Sequence, residues 1–543
     1  MRRTIEEGRL SLAALRHLPP ELRPAIDPGA LSIGVVHLGV GAFHRAHQVS
    51  YLDETAEMTG DARFGVCAFS ERRPDAARLL AEQDGLYSLR TASPAGSRLA
   101  VQVSLREALF AGDGGAVERI ADPDVHLVTI TVTEKGYRYE PATGRLRRDD
   151  PDVIADAAGG RVDHPVAAGR SPAGAAGRAP GAPGRTARAS GRPASPRSSG
   201  RSLPEPPRTV LGQLARGLEA RRRAEGGPLT VLSCDNLPAN GRLLAGLVHE
   251  LVELRGFDPG LAEWIAEHVS FPCSMVDRIV PAATPHDREL AASILGTLDE
   301  AAVVAEPFRQ WVIEDDFRGP RPRLELAGVE LVPDVAPYET MKLRVLNGPH
   351  SALAYLGALS GLELIAESVE RFAGFVRTLV DNEVAPTLSL PPGVELDAYR
   401  DRVLERFANP VLAHRCLQVA SDGSQKLPQR ILGTVRDLLR AHGLSHGPEP
   451  RRCMLVVAAY LRAVCHGRDE SGRPIEVSDP LAPELRRMAA GGPSPERLAR
   501  RALSIGQLFG EDLASDGRVF RLLAAALADL EIGSLADVIS DYS

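Results

Sequence analysis

Lysine is nearly missing from this sequence of 543 residues: of 64 basic side chains only Lys135, Lys342 and Lys426 are lysine, and the rest are arginine. Aromatic residues are scarce at 4%, and a formal net charge of −7 leaves no excess of positive charge. That balance argues against a nucleic-acid binder and against a protein held on anionic membranes. No apolar run approaches the roughly 20 residues of a membrane span, and residues 1–8 carry charges without the apolar stretch of a secretory signal. Six cysteines lie far apart with no Cys-x-x-Cys pair. They read as reduced thiols of a cytoplasmic protein, with no structural zinc.

What is present, 44% hydrophobic and 25% charged residues, is the profile of a globular protein too long for one core. Residues 1–30 are a polar lead-in with prolines at 19, 20, 24 and 28. From 31 to 283, short apolar runs at 33–38, 64–69, 127–133 and 229–233 alternate with helical spacing at 42–56, 74–83 and 210–224, which predicts a parallel, doubly wound sheet of Rossmann type. From 284 to 543 helical periods dominate (288–298, 350–362, 366–380, 396–407, 453–464, 495–508), so a mainly α-helical second domain is expected. The segment 159–207 breaks the pattern. All but seven of its 49 residues are Gly, Ala, Pro, Ser or Arg, too little apolar surface to offset ordering, so it reads as a disordered insertion without function.

Gly39-Val-Gly41-Ala-Phe43-His44 sits between a strand and a helix. Two glycines permit a tight turn and let the backbone approach a pyrophosphate at the helix start. The third glycine of that fingerprint is absent, with His44 in its place, and an ordinary glycine turn is the competing reading. Past the second strand, Glu71 and Asp75 are candidate partners of ribose hydroxyls, while Arg72 and Arg73 keep a 2′-phosphate open. The cofactor candidates are thus Gly39, Gly41, Phe43, His44, Glu71, Asp75 and Thr133, with NAD preferred to NADP.

A lysine that survives in an arginine background is a candidate for chemistry, because a buried amine can lose its proton and a guanidinium essentially never does. Of the three, only Lys342 has an asparagine and a histidine close by, in Met341-Lys342-Leu-Arg344-Val-Leu-Asn347-Gly-Pro-His350. A helix there places Asn347 and His350 on one face. An amine can take the proton of an alcohol while amides hold the developing alkoxide. Asn236, after the strand end at Ser233-Cys-Asp235, offers a second amide, and Asp277 is placed to tune the lysine, hold substrate or pair with Arg278.

These blocks, together with 37–48, 131–137 and 422–428, resemble the polyol-specific long-chain dehydrogenases, the mannitol dehydrogenase family, over nearly the whole chain outside 1–30 and 159–207. The resemblance implies a metal-independent NAD(H) oxidoreductase, a monomer or low homo-oligomer, acting on a free sugar acid or polyol. It makes Lys342 the general base of oxidation and acid of reduction, Asn236 and Asn347 the oxyanion donors, His350 the substrate-orienting histidine and Asp277 a substrate-side carboxylate. Gln418 and Arg344 stand where mannitol-oxidising members carry arginine and glycine, and 306–314, 407–418 and 426–430 look more like the fructuronate reductase branch, which interconverts D-fructuronate and D-mannonate. Arginine grips carboxylates with a paired fork, so Arg344, His414 and Arg415 are candidates for the acid group, with structural ion pairs as the alternative. A mannitol 2-dehydrogenase, a tagaturonate reductase and a nucleotide sensor without turnover are the competing functions.

Overall fold

The computed structural model describes residues 8–141, 143–158, 205–254, 256–441 and 448–543. The insertion read at 159–207 therefore lies outside the described residues, except for 205–207. Six strands build the central sheet: β1 (Ile33–Leu38), β2 (Gly65–Ser70), β3 (Leu105–Phe110), β4 (Leu127–Ile130), β5 (Leu229–Ser233) and β6 (Val269–Ser270). Their order is β6-β5-β4-β1-β2-β3, with every neighbouring pair parallel. This is the Rossmann arrangement, whose strand order reverses between β1 and β4 and leaves a crevice at the carboxyl ends of those strands.

The strands read as continuous apolar runs because both faces are covered. Val35 packs with Val66, Leu127 and Leu232 on one face, and Val36 with Cys67, Val128 and Val231 on the other. Two local expectations change. The helix expected to run to residue 56 breaks at His47 (φ −112°, ψ −76°) into Ala42–Ala46 and Gln48–Thr59. The β-branched run 127–133 pairs only to Ile130, after which Val132 and Thr133 turn their N–H groups to the Asp235 carboxylate at 3.0 Å each.

The sequence placed the change of architecture at 284, but strand pairing carries the sheet-bearing part further. Val303–Ala305 pairs with the hairpin strand Tyr87–Ser93, and Gln310–Glu314 lies between Ser274–Asp277 and Glu330–Val332. From Ala336 onward the chain is helical. At the centre of that half is Arg451–His466, whose residues 453–461 are fully buried all round, as an entirely apolar helix surface requires.

One helical rod of this half meets the crevice. It comprises Ala336–Met341, a π-helical turn at Lys342–Asn347, and Gly348–Leu359. Pro349 has no N–H to continue the regular ladder, and the Gly348 N–H reaches back five residues to the Leu343 carbonyl. Gly348 also lets the Arg430 carbonyl close in, since a β-carbon here would stand 2.9 Å from that oxygen.

Candidate active site

The glycine turn is built as its sequence suggests. Gly39 has φ +109°, and a β-carbon on it would lie 2.1 Å from the Thr131 carbonyl, so only glycine fits. The N–H groups of Gly39 and Val40 both donate to Phe69 O at 2.9 Å, which ties the turn to β2. His44 is wholly buried beneath the turn and stacks on His37 at 3.3 Å between ring centroids. Burial pushes its imidazole well below the usual range. It therefore supports the turn from below, as a third glycine could not. Phe43 stacks on His47 at 4.9 Å.

Past β2 the two ribose candidates part company. Glu71 lines a cavity of about 220 Å³ together with Ala111, Gly112, Arg208 and Gln213. Its Oε2 accepts from Gln213 at 2.8 Å, while Oε1 is buried with no partner. Burial pushes the carboxyl up to about 7. An unpartnered buried acceptor beside a cavity suits a ribose hydroxyl, so these residues fit a dinucleotide whose pyrophosphate lies on the Gly39–Gly41 turn. Asp75 is exposed at the start of the helix Asp75–Ala81 and is not among the cavity residues.

Lys342 enters the seam between the two halves. Only 5% of it is exposed. Its ammonium donates to Asn236 Oδ1 and, at 2.6 Å, to the Val276 carbonyl, both from the sheet-bearing half. Burial pushes its pKa down to about 8, with Arg430 and Arg406 adding to the fall and Asp277 opposing it. Because Asn236 uses its oxygen on the lysine, its amide N–H groups remain as donors. The π turn brings Asn347, five residues on, to the same side, and its Nδ2 is buried without a partner. His350 Nε2 is likewise unpartnered, and its ring stacks on Phe407 at 4.4 Å and meets His414 edge-on at 4.8 Å. Burial, then His414, keeps the His350 imidazole neutral. Lys342 and Asn236 are thus in direct contact, and Asn347 and His350 follow Lys342 on the same helical rod with a buried, unpartnered amide and imidazole nitrogen.

The candidates for holding an acid group are rearranged. Asp277 is buried and accepts both arms of Arg406, at 2.7 and 2.9 Å, and Arg406 also grips Glu306. Its partner is therefore neither Arg278 nor an open pocket. Arg278 spends its donors on the Ala46 and Glu306 carbonyls. Arg344 is tied to Thr387 and, at 2.6 Å, to Asp437, on the side of the helix Leu432–Ala441. Arg415 is exposed and paired with Glu363 at 2.9 Å. Of the three acid-group candidates only His414 reaches the site.

Four charged residues that sequence reasoning did not select take their places. Arg406 neutralises Asp277. Glu339, one turn before Lys342, shares with it a cavity of about 10 Å³, room for one water, and burial pushes its carboxyl up to about 7. Arg430 donates to Ser351 Oγ at 3.2 Å, next to His350. Lys426, which has no asparagine or histidine near it in sequence, comes beside His414 and His350 in the fold. Glu339 carried the one readable signal, its three-residue spacing from Lys342. Among the described residues no group of three or more His, Cys, Asp and Glu is placed to hold a metal ion, and no helix is long and apolar enough to cross a membrane.

Comparison with known proteins agrees with this architecture. A family model for the mannitol dehydrogenase Rossmann domain matches residues 33–326, and one for the mannitol dehydrogenase C-terminal domain matches 334–531. The chain is 38% identical to D-mannonate oxidoreductase of Escherichia coli (strain K12) over 522 residues, 94% of this chain and 96% of the relative. It is 36% identical to mannitol 2-dehydrogenase of Neosartorya fischeri over 523 residues, 94% of this chain and 93% of that one. The solved structure of Pseudomonas fluorescens mannitol 2-dehydrogenase, a ternary complex with NAD and D-mannitol, matches with a TM-score of 0.82 at 30% identity, over 98% of this chain and 99% of the other.

Proposed function

The chain belongs to the mannitol dehydrogenase family and is an oxidoreductase of CH–OH groups, and from that premise we propose that it interconverts D-fructuronate and D-mannonate with NAD(H) in the cytoplasm. The observation that carries the chemistry is the buried Lys342 amine, lowered to about 8 and bonded to Asn236, with the unpartnered Asn347 and His350 following on the same helical rod. In the oxidative direction the neutral Nζ takes the proton of the carbinol hydroxyl. The amide N–H groups of Asn236 and Asn347 donate to the oxygen as charge builds on it. His350 Nε2 orients a neighbouring hydroxyl. A nicotinamide dinucleotide held at the Gly39–Gly41 turn and Glu71 would supply the hydride acceptor for oxidation and the hydride donor for reduction. In reduction the Lys342 ammonium supplies the proton to the nascent alkoxide, so one group serves both directions.

Preference for NAD over NADP is supported by Glu71, whose carboxylate can accept from a 2′-hydroxyl and would repel a 2′-phosphate. The acid branch is supported by the identity with D-mannonate oxidoreductase. The six cysteines are all free, which suits a reducing compartment. The test is NADH oxidation by the purified protein with D-fructuronate, D-tagaturonate and D-fructose. We expect kcat/KM for D-fructuronate to exceed that for D-fructose by about 10²–10⁴, the range a charge-matched site can reach. A preference for D-fructose would make the protein a mannitol 2-dehydrogenase, a preference for D-tagaturonate would move it to the other uronate, and no turnover with any ketose would favour a sensor.

A further inference from the structure

The ring of His350 has to be aimed without using the nitrogen that meets substrate. Nε2 is buried and has no partner among the described residues, so it stays open to a substrate hydroxyl. The plane of the ring is set by packing. Phe407 stacks on one face at 4.4 Å between centroids and 18° between planes, and His414 meets the ring edge-on at 4.8 Å. A flat face fixes both the height and the tilt of an imidazole, which a branched aliphatic side chain would not do. Phe407 is nevertheless the last residue of the helix Leu396–Phe407, and helix ends ordinarily fray. Its place therefore depends on what holds the chain on either side of it.

Both sides are held by the sheet-bearing half. Before Phe407, the Arg406 guanidinium meets Asp277 at 2.7 and 2.9 Å along one edge and Glu306 at 2.9 and 2.7 Å along the other. The Phe308 ring covers its face at 4.0 Å. Four hydrogen bonds from one planar group leave the side chain a single placement. After Phe407, Asn409 Nδ2 donates to the Ala92 carbonyl in the strand Tyr87–Ser93 at 3.1 Å, while its Oδ1 accepts the Val411 N–H and turns the chain. Farther on, the His414 carbonyl accepts the Ile365 N–H at 2.9 Å, which holds the second ring in place. His350 rides on the helix Gly348–Leu359 of the helical half, yet the face it rests on is pinned to the other half. We propose that Phe407, pinned by Arg406 and Asn409, is a positioning residue that aims His350 Nε2 at the substrate hydroxyl once the halves are docked. This rests on the assignment of His350 as the residue that orients that hydroxyl, and it adds no contact between Phe407 and substrate.

The test is a set of double-variant cycles in NADH-dependent reduction of D-fructuronate and of D-fructose, since both ketoses carry a hydroxyl next to the carbonyl. NADH binding is followed on each variant by fluorescence titration. Phe407→Leu keeps the apolar burial without the flat face and should lower kcat/KM about 10- to 100-fold, with NADH affinity within about threefold of wild type. Phe407→Tyr restores the face and should stay within about fivefold of wild type. In a His350→Ala background Phe407→Leu should lower kcat/KM by about twofold or less, because a residue that acts through another has nothing left to act on. Asn409→Ala, with a smaller loss of about 3- to 10-fold that also vanishes in that background, carries the test if Phe407→Leu does not fold. Equal losses in both backgrounds, or a Phe407→Tyr variant as slow as Phe407→Leu, overturn the positioning role and leave the assignment of His350 intact. A His350→Ala variant with wild-type kinetics overturns the assignment of His350 itself, and the proposal with it.

Discussion

At the scale of single residues, Lys342 was legible by counting, because an amine stands out when nearly every other cation is arginine. Arg406 and Arg430 were not, for the same reason: one arginine among many carries no contrast, and what each does depends on partners far away in sequence. Thr133 shows the limit from another side. Its φ of +68° with ψ 165° is a conformation that side chains other than glycine rarely adopt. The Asp235 carboxylate holds it there, accepting the N–H groups of Val132 and Thr133 and the Tyr137 hydroxyl at 2.8 Å. Asp235 thereby joins the loop after β4 to Asn236, its neighbour in the chain and the partner of Lys342. Asp235→Asn offers one acceptor oxygen where two backbone donors need accommodating. We expect a fall in kcat/KM of about 10- to 100-fold, and a loss of stability of about 1–3 kcal/mol from the unsatisfied N–H, measured by steady-state kinetics and thermal unfolding. Unchanged kinetics would mean that the Thr133 geometry is not used in turnover.

At the scale of elements, the alternation of apolar runs and helical spacing was enough to find β1, β2, β4 and β5, since burial on both faces leaves an unmistakable run, but it marked fewer than half of the helices and passed over Asn240–Val252 and Gly517–Ile532. Period alone did not show the π turn at Lys342–Asn347, although Pro349 marks where the ladder fails. Nor did it show the break at His47, which nothing in the local sequence demands. The hairpin of Tyr87–Ser93 with Gly96–Gln102 was missed because its outer strand is half polar. The insertion is a matter of flanks. The Asp156 carboxylate accepts the N–H groups of Arg208 and Thr209 at 2.7 and 2.9 Å, so the chain on its two sides is already adjacent. Removing 159–204 and joining the ends is expected to leave turnover and melting temperature unchanged, because such a composition has little apolar surface to add to a core. Loss of soluble protein would contradict this. Extending the deletion to 207, the boundary that composition suggests, should raise the KM for NADH, since 205–207 line the Glu71 cavity.

At the scale of the whole molecule, the site is a property of the seam. The sheet-bearing half supplies Asn236, the Val276 carbonyl, Asp277 and Glu306, and the helical half supplies Lys342, Asn347, His350 and Arg406. Arg406 with its two carboxylates clamps the halves, and breaking a buried pair of this kind costs about 3–5 kcal/mol. Docking the halves also takes Lys342 out of water, which is what lowers its pKa. In the proposed mechanism the neutral amine serves oxidation and the ammonium serves reduction. As pH rises through about 8, D-mannonate oxidation should therefore climb and D-fructuronate reduction should fall, both about one ionisation. Lys426 is also pushed down to about 8 by burial, so the Lys426→Arg variant must be run beside Lys342→Arg. The decisive measurement is the pH dependence of kcat in both directions for wild type and these two variants. The account predicts that Lys342→Arg binds NADH, turns over about 10²–10⁴ times more slowly and shows no ionisation near 8, while Lys426→Arg keeps that ionisation. Near-normal turnover of Lys342→Arg with an unchanged pH profile would show that the lysine is only a charge, and would contradict the mechanism.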